Sequence, residues 1–250
     1  MKRMKRNLAI FLMGMTIATM VLGGCKDKEN ISKKDGKESE SVEDKKTFTV
    51  GFDAEYPPYG YMDENGEYTG FDLELAEAVC ELEGWELVKK PINWDSKDME
   101  LNSGAIDCIW NGFTMNGREE EYTFSTPYVD NSQVIVVAEK SGMKTLEDLQ
   151  GKSVGVQAAS AALDLLQSEE EGGRKALADT FSALNEFADY NTAFTELQAG
   201  ALDALAIDVG VANYQIKSRG EGYQILEETL NTEQYAIGFK KGNQEFTQNI

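Results

Sequence analysis

Four short clusters in this chain carry side chains that could hold a small molecule. They are Asp53 with Tyr56; Asn111, Gly112, Phe113 and Thr114, with Arg118 just beyond; Gln157 with Ser160 and Ala161; and Asp208. Together they offer acids, a single arginine, hydroxyls, amides and rings. Arginine presents a rigid planar fork that matches a carboxylate through two parallel hydrogen bonds. An ammonium group asks for a carboxylate and one or two carbonyl oxygens. An acid and an arginine facing each other across a cleft therefore suit a zwitterion. Tyr56, Trp94, Trp110 and Phe113 lie near enough in sequence to wall in an aliphatic or cationic side chain. A helix beginning near Ser160 would aim free backbone N–H groups at the same anion. Each piece also has an ordinary alternative. Arg118 could pair with Glu119, Glu120 or Glu121 on the surface. Asp208 could cap the helix that follows it, Asp53 could cap a turn, and Tyr56 and Phe113 could be plain core.

The elements that would position these clusters repeat. Leu101-Asn102-Ser103-Gly104-Ala105-Ile106-Asp107 returns as Leu197-Gln198-Ala199-Gly200-Ala201-Leu202-Asp203, and Val50-Gly51-Phe52-Asp53 is echoed by Val154-Gly155-Val156-Gln157. Two similar α/β units imply two lobes, and the cleft between lobes is a natural ligand site. Strands are expected at Thr47–Phe52, Leu87–Pro91, Ile106–Trp110, Gln133–Val137, Ser153–Val156, Leu202–Ile207 and Tyr235–Phe239. Met62–Gly70 reads as a hairpin-like excursion with Asn65-Gly66 at its tip. Helices are expected from Asp72 to about Leu82, from Ser96 to Gly104, from about Ser160, from Asn191 to Gly200, and over Val209–Lys217, with Asp72 and Asn191 as caps. Alternation of strand and helix argues for parallel sheets. Ligands of such sheets lie beyond the carboxyl ends of the strands. That rule selects the four clusters above. Asp107 and Asp203 stand at strand starts and are assigned to structure.

The chain has no histidine, which rules out a Ser-His-Asp or Cys-His catalytic site and the commonest transition-metal ligand. No catalytic residue, metal or cofactor is expected. The net charge is −20, and removing residues 1–24, which hold four basic and no acidic residues, would take it to −24. Such a surface repels nucleic acid. Cys80 and Cys108 read as buried free thiols, with a disulfide as the alternative open to an exported protein.

The first residues speak to location. Lys2, Arg3, Lys5 and Arg6 precede an apolar run from Leu8 to Leu22, the pattern of a secretory signal, and Leu22-Gly23-Gly24-Cys25 closes it. That ending resembles the lipobox of bacterial lipoproteins, in which the cysteine, here Cys25, carries the lipid that holds the protein to a membrane without spanning it. Residues 26–46 are polar and charged and read as a flexible tether.

With these residues in view, the chain resembles the family 3 solute-binding proteins of amino-acid ABC transporters. Phe52-Asp53-Ala54-Glu55-Tyr56-Pro57-Pro58-Tyr59 with Gly70-Phe71-Asp72-Leu73 is similar to that family's opening. Asn111-Gly112-Phe113-Thr114, Arg118 and Phe124-Ser125-Thr126-Pro127-Tyr128 are similar to its central signature. Gly151 to Gln157 and Asp203 to Asp208 are similar to its second-lobe motifs. The resemblance implies an α/β, two-lobed periplasmic-binding-protein-like fold of type II. Residues 47–138 with 235–250 would form one lobe and 139–234 the other, joined by two hinge-crossing strands near Val134–Glu139 and Tyr235–Phe239.

The resemblance also implies roles. Arg118, Thr114 and the N–H groups of Ser160 and Ala161 would bind an α-carboxylate. Asp208 and the Gly112 carbonyl would bind an α-ammonium. Asp53, Tyr56, Asn111, Phe113 and Gln157 would surround the side chain. The partners implied are a free amino acid, the permease of an ABC importer, and the outer face of a Gram-positive membrane through the lipid anchor, with the protein monomeric. A dehydratase-like enzyme and a sensory subunit are the other functions this fold could carry. Three departures stand out: three residues rather than four separate Thr114 from Arg118, Ala159 replaces a common glycine, and the sequence stops at Ile250.

Overall fold

The computed structural model describes residues 46–220, 222–244 and 247. The signal segment, Cys25 and the tether lie outside the described residues. Along the chain run β1 (Thr47–Phe52), β2 (Glu55–Tyr56), β3 (Gly60–Met62), β4 (Tyr68–Thr69), α1 (Phe71–Glu83), β5 (Glu86–Pro91), α2 (Lys97–Ser103), β6 (Cys108–Ile109), β7 (Tyr122–Phe124) and β8 (Val129–Ala138). Then follow β9 (Ser153–Gln157), α3 (Ala161–Gln167), α4 (Lys175–Ala178), β10 (Ala183–Phe187), α5 (Tyr190–Ala199), β11 (Ala204–Asp208), α6 (Val209–Arg219), β12 (Tyr223–Ile225), β13 (Asn231–Tyr235) and β14 (Gly238–Lys240).

Two main sheets result. The first has the order β5-β1-β6-β14-β7, and the second β10-β9-β11-β8-β12 with β13 also on β8. In each, three strands are parallel: β1 lies between β5 and β6, and β9 between β10 and β11. Antiparallel strands extend both sheets, so each is mixed rather than purely parallel. The second sheet is covered on both faces. Val134 and Val136 of β8 pack with Tyr190 and Phe194 of α5 and Val211 of α6, while Ile135 and Val137 pack with Leu146, Leu149, Leu163 and Leu166. A strand buried on both faces needs the near-continuous apolar run that 133–137 shows. The first sheet rests on α1 through Leu73, Ala76 and Cys80. Cys80 and Cys108 are both free and buried.

The sequence echo has a structural meaning. α2 and α5 both end at a left-handed glycine, Gly104 and Gly200. Three residues later Asp107 accepts the Thr49 N–H at 2.7 Å, and Asp203 accepts the Ser153 N–H at 2.9 Å. Each acid thus satisfies an N–H of the central strand beside it. The glycine in the middle of that strand is needed for close approach. A Cβ on Gly51 would stand 2.4 Å from Ile106 Cδ1, and one on Gly155 would stand 2.5 Å from Leu202 Cδ1 and 2.7 Å from Leu205 Cδ2. Overpacking a core in this way costs about 1–3 kcal/mol. Gly155→Ala should therefore lower the unfolding free energy by that amount, read as a lower urea midpoint at unchanged slope; an unchanged midpoint would mean that the core around Leu202 is loose.

Three expectations differ from the structure. Val134–Glu139 does not cross between sheets, because β8 lies wholly in the second sheet. The crossings are 125–128, between β7 and β8, and 236–237, between β13 and β14. They run side by side: the Tyr128 N–H donates to Tyr235 O, the Ser125 N–H to Ile237 O, and the Ile237 N–H to Ser125 Oγ. The boundary drawn at 138 accordingly moves back to this segment. Asp72 does not cap α1; Gly70 holds that position, and Asp72 is turned inward. α5 is capped by Asp189 rather than Asn191, its carboxylate accepting the Thr192 N–H at 2.7 Å.

Candidate functional site

The carboxyl ends of β1, β6, β9 and β11 deliver the four clusters to one place. A small cavity of about 10 Å³ is lined by Tyr56, Trp94, Gly112, Thr114 and Arg118 from the first unit and by Gln157, Ser160, Ala161 and Asp208 from the second. Eight of the eleven residues expected at a ligand site therefore meet there, joined by Trp94.

Arg118 reaches the cavity from a tight turn. Its N–H donates to Met115 O at 3.0 Å, and Gly117, with φ at +79°, lets the chain reverse. The three-residue spacing from Thr114 is therefore sufficient. The guanidinium lies over the Phe113 ring, 5.1 Å from its centroid, and donates to Asp164 Oδ2 of α3 at 2.6 Å. It makes this bond across the cleft rather than to the glutamates that follow it. Thr114 Oγ1 donates to Glu233 Oε1 at 2.7 Å. Gly112 has φ at +57°, and a Cβ there would come within 3.1 Å of the rings of Tyr56 and Tyr235. Its N–H donates to Asp72 Oδ2 at 2.5 Å, and burial lifts that carboxyl to about 7.

On the opposite wall, Ser160 caps α3. Its hydroxyl accepts the Leu163 N–H at 3.2 Å and donates to Gln157 O at 2.7 Å. Ala159 just before it has φ at +54°, unusual for a residue with a side chain. Its carbonyl accepts from Lys97 Nζ at 3.1 Å, so the first unit holds this turn from across the cleft. Asp208 is buried. Its Oδ1 accepts from Asn131 Nδ2 and Gln133 Nε2, each at 2.7 Å, and from Tyr235 Oη at 2.6 Å. Burial, and then the charge of Glu233, push its carboxyl up to about 6.

Three expected residues stand elsewhere. Phe113 is sealed among Trp94, Tyr122 and Phe124 and supports Arg118 from below instead of meeting the cavity. Asn111 is buried, facing Gly60, and neither carboxamide atom has a hydrogen bond. Both flank Gly112 in sequence, and at the left-handed bend there adjacency does not put neighbouring side chains on the same side. Asp53 is buried beside the cavity. It accepts from Gln157 Nε2 at 2.6 Å and from the Glu55 N–H at 2.8 Å, and burial raises its carboxyl to about 6. It also lines an adjoining compartment of about 500 Å³ together with Glu55, Trp94, Asp95, Glu100 and Asp189.

Glu233, Asn131, Gln133 and Tyr235 were not legible as site residues. In the structure Glu233 is in phase with Tyr235 on β13 and both are buried, while Thr232 and Gln234 are exposed.

The profile of the bacterial extracellular solute-binding proteins, family 3, matches residues 48–250. The chain belongs to that family. It is 28% identical over 207 residues to the L-cystine-binding protein TcyJ of Escherichia coli, covering 82% of this chain and 74% of that one. It is 29% identical over 209 residues to the arginine-binding extracellular protein ArtP of Bacillus subtilis, covering 82% and 79%. Among solved structures, an ABC uptake transporter substrate-binding protein from Streptococcus pneumoniae with bound histidine superimposes with a TM-score of 0.76 at 34% identity, covering 81% of this chain and 83% of that one. As a family 3 solute-binding protein, the chain has the two-lobed fold of type II. The paired crossings at 125–128 and 236–237 are its hinge-crossing segments.

Proposed function

We propose that this protein captures a free amino acid outside the cell and delivers it to an ABC importer. The observation that carries this reading is one small cavity with a guanidinium on one wall and a buried carboxylate on the other, contributed by different lobes. Arg118, Thr114 and the N–H groups of Ser160 and Ala161 hold the α-carboxylate. Asp208 and the Gly112 carbonyl take the α-ammonium. The ligand side chain passes Trp94, Asp53 and Gln157 toward the adjoining compartment. Carboxylates of Asp53, Glu55, Asp95, Glu100 and Asp189 line that compartment, so a polar or positively charged side chain fits best. The cystine-, arginine- and histidine-binding proteins among the relatives support this choice.

A cavity of about 10 Å³ is too small for an amino acid until the lobes part, so capture is a hinge motion and ligand favours the closed form. Contacts between the two sides, Asp53 with Gln157, Arg118 with Asp164, and Lys97 with Ala159, hold that form. The protein performs no chemistry of its own. It works as a monomer, anchored by lipid on Cys25 to the outer face of a Gram-positive membrane, where its closed form docks on the permease.

A thermal-shift screen against the twenty amino acids, cystine and ornithine tests this. A ligand at a hundred times its dissociation constant stabilises the folded state by about 2.7 kcal/mol. One or a few polar or cationic amino acids should raise the melting temperature by several degrees. A screen in which no amino acid shifts a folded, ligand-free sample would overturn the proposal.

A further inference from the structure

A second acid lies behind the ammonium end of the cavity, joined to Asp208 through shared donors. Glu233 of β13 is 4% exposed and Asp208 is 3% exposed. The same two amide nitrogens bridge them: Asn131 Nδ2 and Gln133 Nε2 each lie 2.7 Å from Asp208 Oδ1 and 2.8 Å from Glu233 Oε1. Thr114 Oγ1 adds a bond to Glu233 Oε1, Asn231 Nδ2 one to Oε2, and Tyr235 Oη one to Asp208. Every one of these donors is neutral. The amide oxygens Asn131 Oδ1 and Gln133 Oε1 are buried beside them without a hydrogen-bond partner. The other titratable groups facing the pair are Tyr56 from β2, Tyr59 from the turn after it, and Tyr190 from α5, each of which burial drives well above the ordinary phenol range. The cation on the same cavity, Arg118, is bonded to Asp164. Two carboxylates that share neutral donors in a buried site repel each other, which favours a proton on the pair as the pH falls.

We infer that Asp208 and Glu233 act as one unit that holds a proton in the ligand-free protein and releases it to solvent when the ligand's ammonium arrives. This rests on the proposed function. It adds Glu233 as the residue that positions Asp208, and it makes capture release a proton in acid. With a proton bound near pH 6, affinity falls as pH drops through that value and is flat above it.

The test is calorimetric titration of the protein with L-arginine and with L-glutamine, whose own charges are constant between pH 5 and 7.5. It is run in two buffers of different ionisation enthalpy. Binding should be about tenfold weaker at pH 5 than at 7.5, with close to one proton released at pH 5. Asp53 and Asp72 titrate in the same range, so Glu233→Gln makes the assignment: its affinity should change less than about threefold between the two pH values. A pH-independent wild type, or a Glu233→Gln protein that keeps the full tenfold change, overturns the inference. If neither amino acid binds at either pH, the proposed ligand class is at fault, and a carboxyl-carbon NMR titration of the ligand-free protein decides about the pair. One resonance titrating near pH 6 and missing from the Asp208→Asn or Glu233→Gln spectrum supports it; two resonances titrating below pH 4.5 overturn it.

Discussion

Arg118→Ala should bind its amino acid at least a hundredfold more weakly than the wild type while remaining folded. Without the guanidinium, the ligand carboxylate enters a closed cavity with no opposite charge, and breaking a buried pair by removing one partner costs about 3–5 kcal/mol. The fold has little to lose. The bond from Arg118 runs to Asp164, whose side chain is 61% exposed, and exposed pairs contribute only about 0–1 kcal/mol. Titration calorimetry and a melting curve on the same sample separate the two effects. A variant that binds like the wild type would remove Arg118 from the site; one that has simply unfolded would show it in the melt.

Asp208→Asn should separate function from stability more sharply. The ligand ammonium loses its carboxylate, again at a cost of about 2–5 kcal/mol in affinity. In the ligand-free protein the same change relieves strain. Burial and the Glu233 charge raise the Asp208 carboxyl to about 6, above its ordinary value of 3.8. A group with a raised folded-state value binds its proton more tightly when folded, so it lowers stability as pH climbs from about 4 to 6 and leaves that penalty in place above. Asparagine keeps an oxygen for Asn131, Gln133 and Tyr235 and removes the charge. The ligand-free variant should therefore melt no lower than the wild type at pH 7.5, and the difference should shrink at pH 4, while affinity falls at least about thirtyfold. Equal affinity in both proteins would place the ammonium elsewhere.

Much of this site was legible in the sequence because two independent patterns agreed. The echo of 101–107 in 197–203 located α2 and α5 and the strands after them, and the carboxyl-end rule then selected the loops that line the cavity. Asp107 and Asp203 were assigned to structure correctly, since an acid at the start of a strand can satisfy a neighbouring strand's N–H. The misses have particular causes. β13, Asn231-Thr232-Glu233-Gln234-Tyr235, carries no apolar alternation, because its inward face is polar by design of the site; it therefore did not read as a strand, and Glu233 stayed hidden. β8 was mistaken for a crossing because an apolar run buried on two faces looks the same whichever sheet covers it. Asp72 looked like a cap because an acid in the first turn of a helix usually is one; here it faces inward to the Gly112 N–H. Asn111 and Phe113 were included because sequence adjacency to Gly112 and Thr114 says nothing about which side of the chain each residue faces.

Recognition of both α-groups of one ligand across the cleft defines the proposed site. The decisive measurement is calorimetric titration of the protein with its best amino acid from the thermal-shift screen, then with the α-amide and the N-acetyl form of that same amino acid. The free amino acid should bind at one site and either derivative at least a hundredfold more weakly, since each leaves Arg118 or Asp208 with no opposite charge. Derivatives that bind as tightly as the parent would contradict that recognition.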